Sequence, residues 1–166
     1  MLLGSCRTLE DDLEYALAQY VEIALRALSP AVNDLQTGVS CLDWIGDALV
    51  RLAALPVGST GIAERSGRLR LVLVPSSFAN AVDAAFDQLR RAVNGDVSVI
   101  VQLLRVMTKV APHAPGPAAL NAIERHVDAL ARAAQDHRID SADRPEVNAA
   151  VGGARRSLTD AASASS

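Results

Sequence analysis

Four aspartates have the spacing most suited to chemistry in this sequence. Asp43 and Asp47, and separately Asp83 and Asp87, stand four residues apart, so each pair shares one helix face. Two such faces opposed across a bundle could hold a divalent cation among four carboxylates. Sites of that kind usually add a Glu-x-x-His element, and this sequence has none. Arg51 follows Asp47 by one turn, and Arg90 and Arg91 follow Asp87. The same spacing therefore fits a solvated, salt-paired surface, which is the preferred reading. His113, His126 and His137 show no i, i+4 ligand spacing. On one helix His126 and His137 would lie roughly 16 Å apart, too far for one ion. All three read as surface or loop histidines, and neither a metal nor a cofactor is expected.

The other polar concentration is the run Ala27-Leu28-Ser29-Pro30-Ala31-Val32-Asn33-Asp34. Arg26, Ser29, Asn33 and Asp34 could converge as a ligand-binding notch. The preferred alternative is a helix–helix corner, with a proline stop and an Asn or Asp cap, which accounts for every residue. Cys6 and Cys41 form no CxxC pair. Cys41 lies near an apolar stripe, and only Arg7 could activate Cys6, so both read as free structural thiols in a reducing cytoplasm. No nucleophile elbow, P-loop or dinucleotide fingerprint occurs. No catalytic residue is expected, and the sequence names no reaction.

The elements that must carry these residues are helical. The chain has 166 residues, 50% hydrophobic but only 3% aromatic, so its core must come from interlocking aliphatic side chains. That length suits one domain. Ala, Leu, Arg and Gln favour helix, which predicts an all-α bundle of five to six helices. A net charge of −3 argues against a nucleic-acid binder, which would carry a basic stripe.

Thr8-Leu9-Glu10-Asp11 resembles a capping box, and Leu9, Leu13, Leu17, Tyr20, Ala24 and Leu28 form the first stripe. Asn33 or Asp34 caps a second helix with Leu35, Val39, Leu42, Ile45, Leu49 and Leu52 inward. Arg68–Val74 alternates like a strand, and Gly61–Glu64 could complete a hairpin near residues 61–74. Ser76 or Ser77 caps a third helix, with Phe78, Val82, Phe86, Leu89 and Val93 inward. Asp96 starts a fourth, apolar around most of its circumference from Val97 to Val110, the pattern of a central helix.

A fifth helix spans about residues 118–135, with Leu120, Ile123, Val127, Leu130 and Ala134 inward, and Pro145 opens a sixth. Residues 1–158 are expected to form the single domain, and 159–166 a disordered tail. The most apolar stretch, Val97–Ala111, is broken by Gln102, Arg105 and Lys109, so no membrane span is expected. Met1–Ser5 lacks the features of a signal peptide. The isolated chain is therefore expected in the cytoplasm.

One family resembles this chain. Arg7-Thr8-Leu9-Glu10-Asp11-Asp12, then Val21-Glu22-Ile23-Ala24-Leu25-Arg26-Ala27-Leu28-Ser29-Pro30, then Asn33-Asp34 and Cys41-Leu42-Asp43 resemble bacterial predicted membrane proteins of domain of unknown function 2254. Gly67-Arg68-Leu69-Arg70-Leu71 and Ala85-Phe86-Asp87 extend the likeness. Where that family has Gly after Ser-Pro and Pro after Asn-Asp, this chain has Ala31 and Leu35. The resemblance implies a missing upstream membrane region, hence a fragment, a mis-started gene or a stand-alone remnant. It implies membrane association in the family context and no known activity. Tyr15, Ile23 and Leu25 lie off the first helix's main stripe, and the strand has an open edge. Both features predict self-association, with a symmetric dimer the expected form.

Overall fold

Val97–Val110, here α4, carries the densest hydrophobic pattern and becomes the most enclosed helix. Val99, Ile100, Val101, Leu103, Leu104, Val106, Met107 and Val110 are all buried. The computed structural model describes residues 13–55, 60–63, 69–73, 77–93, 95–135 and 139–164. Among them the architecture is all-α, with α1 (Leu13–Ala27), α2 (Leu35–Ala53), α3 (Phe78–Ala92), α4, α5 (Pro117–Ala133) and α6 (Arg144–Ala164). Between α2 and α3, β1 (Thr60–Ala63) runs antiparallel to β2 (Leu69–Leu73), with Thr60 opposite Leu73 and an irregularity after Ile62.

The helices close a circuit. α1 packs on α2, α2 on α4, α4 on α6, α6 on α5, α5 on α3, and α3 back on α1. Lesser contacts of α2 with α3 and α4 with α5 cross the middle. Leu42, Ile45, Leu49, Phe86, Leu89, Ile100, Leu103, Leu104 and Ile123 fill the interior without solvent exposure. Of the two phenylalanines only Phe86 is among the largest fully buried side chains, so the core is mainly aliphatic, as the composition requires.

Three helix starts follow from side-chain oxygens that accept backbone N–H groups of the first turn. Asp34 accepts from Thr37, Ser77 from Asn80 and Asp96 from Val99. Gly116 takes φ 88° before Pro117 opens α5, a positive φ that glycine adopts without a Cβ clash. The proposed capping box at Thr8 lies outside the described residues.

The C-terminal end departs from expectation. α6 continues to Ala164, through residues expected to be a disordered tail. Val147, Val151, Ala154 and Leu158 anchor it in the core. Beyond Leu158, alanines continue the helix at little cost. The hydroxyls of Thr159 and Ser163 donate to the carbonyls of Arg155 and Thr159. Ala/Ser composition suggested disorder, but an anchored helix propagates more readily than an isolated one nucleates.

Candidate functional site

At the α1–α2 corner the polar residues serve the backbone. Ser29 Oγ donates to the Arg26 carbonyl at 2.7 Å. The Asn33 N–H donates to the Ser29 carbonyl and the Asp34 N–H to the Ala27 carbonyl, each at 2.8 Å. Asn33 takes φ 49°, a left-handed conformation that asparagine tolerates better than most residues. Asp34 accepts from the Thr37 N–H through Oδ1 at 3.0 Å and from the Thr37 hydroxyl through Oδ2 at 2.6 Å. The Thr37 hydroxyl is the main cause holding the Asp34 carboxyl below its ordinary pKa, with the Thr37 N–H next. Arg26, Ser29, Asn33 and Asp34 do come together. Arg26 joins the network through its carbonyl.

The paired aspartates face different partner helices. Asp43 accepts from Gln102 Nε2, and Asp47 meets Lys109 Nζ at 2.7 Å, both across the α2–α4 seam. Asp83 instead faces α5. Arg125 Nη2 reaches its two oxygens at 3.0 and 2.8 Å, and His126 Nε2 lies 2.9 Å from Oδ1. Asp87 pairs with Arg90 on its own helix at 3.4 Å. Guanidinium, ammonium and amide groups thus occupy the carboxylates. Among the described residues no group of three or more His, Cys, Asp or Glu side chains is placed to hold a metal ion.

His126 departs from the surface position expected of it, with 3% exposure. It stands one turn from Ala122 and one from Leu130, both buried on the inward stripe of α5. That i, i+4 spacing was legible in the sequence, but it left His126 at the margin of the stripe. Phe86 leans over its ring at a centroid distance of 5.8 Å. Burial pushes the imidazole below its ordinary pKa, against the opposing pull of Asp83. A carboxylate only accepts, so the neutral ring carries its proton on Nε2 and donates to Asp83. Around this pair Asp83, Asp87, Arg90, Arg125, Asp128 and Arg132 border a surface cleft of about 400 Å³. An Asp–His pair can serve as a general base, but among the described residues lining this cleft there is no Ser, Thr or Cys that it could activate. His113 is exposed at the end of a short 3-10 turn, Ala111–His113. His137 and Cys6 lie outside the described residues, and Cys41 is a buried free thiol.

The pattern of the family described as predicted membrane protein (DUF2254) matches residues 1–109. The chain belongs to the DUF2254 family. Uncharacterized proteins of Mycobacterium bovis and Mycobacterium tuberculosis are 32% identical to it over 145 residues, which is 87% of this chain and 28% of each relative. The chain thus spans little more than a quarter of the length of these curated relatives. No solved structure matches it. Among the described residues of this DUF2254 chain, no helix is long and apolar enough to cross a membrane.

One surface feature carries no signal in the sequence. Tyr20 on α1 and Trp44 on α2 meet with ring centroids 5.5 Å apart and planes at 47°, yet Trp44 is 50% exposed. The exposed large hydrophobics among the described residues are Ile23, Val32, Trp44 and Leu55. All of them belong to the α1–α2 hairpin or its flanks. A lone tryptophan beside an apolar stripe carried no sign of which way it would point.

Proposed function

We propose that this chain is an extramembrane helical module of a membrane-protein family, and that it works without catalysis, through helix packing and self-association. The observation that supports this reading is the gathering of Ile23, Val32, Trp44 and Leu55 on one hairpin, while large apolar side chains on α3 to α6 turn inward. Ile23 stands one turn from Tyr20, whose ring meets Trp44, so these groups fall on neighbouring surface of α1 and α2, and a contiguous exposed apolar patch marks an association surface. Membership of a predicted membrane-protein family, together with the chain's match to 28% of its relatives, supports the extramembrane assignment. The buried free thiol of Cys41 suits a reducing cytoplasm for the isolated chain.

Light scattering across a concentration series tests the reading. The wild type is expected to approach a dimer mass, and Ile23→Glu with Trp44→Ser to hold the monomer mass. Ile23 suits the test better than Leu25, which is half-buried and packs against the core. A monomer at every concentration in the wild type overturns self-association.

A further inference from the structure

We propose that the seam between α3 and α5 is an acid-sensitive clasp, with His126 as its proton acceptor. Charges of both signs surround the buried ring. From α3 come Asp83, Asp87 and Arg90; from α5 come Arg125, Asp128 and Arg132. α6 contributes Arg155, whose Nη2 meets Asp128 Oδ1 at 2.8 Å. On α4, Lys109 is engaged by Asp47 and Arg105 by Glu146, so neither cation is directed to this seam. With His126 neutral, the carboxylates of the cleft already face at least as many guanidinium groups.

The hydrogen-bond inventory leans the same way. Asp83 accepts from both Arg125 and His126. Arg90 Nε is buried with no acceptor among the described residues. The seam is therefore richer in donors than in acceptors. A proton added at His126 Nδ1 brings one more positive charge and one more donor into a site roofed by Phe86. Buried charge without a new partner is costly. The depressed basicity of the ring follows from the same burial. Acid thus favours conformations in which α5 swings His126 out to water, and α3 loses the contact through which Asp83 holds two successive residues of α5.

The test is hydrogen exchange with melting at pH 7.5 and pH 5.5, on the wild type and His126→Phe, together with an NMR titration of the wild-type imidazole. The expected result is a loss of melting temperature in acid, with exchange, corrected for its intrinsic pH dependence, rising more in α3 and α5 than in α2 and α4. His126→Phe, which keeps the ring against Phe86 and removes the titration, is expected to lose most of that difference. Equal acid responses in the two proteins overturn the proposal. Should the variant not fold, the wild-type titration decides alone. A His126 midpoint at or above that of an ordinary exposed histidine overturns the clasp, and a lower midpoint, with exchange rising along the seam, supports it.

Discussion

Leu28 occupies the space where Gly38 would carry a side chain. A Cβ built on Gly38 would lie 2.5 Å from Leu28 Cδ2 and 2.9 Å from its Cγ. The α1–α2 corner can turn tightly because Gly38, on the first turns of α2, lets the last leucine of the first stripe settle onto its backbone. Gly46 plays a milder version of this role against α4, with Val106 Cγ1 3.0 Å from the corresponding position.

The same substitution should therefore have opposite signs at two glycines. Gly38→Ala gains about 1 kcal/mol of helix propensity but crowds the buried Leu28, and overpacking typically costs about 1–3 kcal/mol. A net loss is expected. Gly153 in α6 has nothing within 4 Å of its would-be Cβ, so Gly153→Ala should stabilise by about 0.5–1 kcal/mol. Urea midpoints of the two variants check the contrast.

Leu103 and Leu104 are both fully buried on α4. Truncating either to Ala should cost about 2–5 kcal/mol, the transfer loss plus the cavity left behind. A denaturant titration giving less than about 1 kcal/mol would place α4 at the periphery.

Asp34 should matter above its own titration and not below it. Its folded pKa is lower than the ordinary aspartate value because Thr37 donates to the carboxylate. The charged cap therefore stabilises fully above the unfolded value and is lost as pH falls through the folded one. The gap in melting temperature between the wild type and Asp34→Ala should be flat from about pH 5 to 8 and shrink below about pH 4. A gap that persists unchanged in strong acid would show that the charge is irrelevant to the cap.

Millimolar Mg²⁺, Mn²⁺ or Zn²⁺ should leave the melting temperature unmoved, because Asp43 and Asp47 are held by α4 and Asp83 by α5. A stabilisation of several degrees, abolished by Asp43→Asn or Asp87→Asn, would establish a metal site instead.

The helices themselves were legible in the sequence because their causes are local. Apolar spacing marked the buried faces of α2, α3, α4 and α5, proline ended α1, and Asp96 capped α4 as its position promised. Family membership was legible too, since it is carried by residue order, which the family pattern matches over residues 1–109. The fate of the paired aspartates was not local. Spacing put each pair on one face but could not say that Lys109, 62 residues beyond Asp47, or Arg125, 42 beyond Asp83, would meet them.

Periodicity likewise allowed two fates for each borderline residue. His126 lay at the edge of the stripe on α5, and only the packing of α3 against α5 took it inside. Trp44 lay at the edge of the stripe on α2, and only the meeting with Tyr20 left half of it in solvent. A chain's own sequence fixes which face of a helix is apolar, because that depends on the 3.6-residue repeat alone. Which neighbour covers the margins of that face depends on the order in which six helices close their circuit, and that was decided by the tertiary structure.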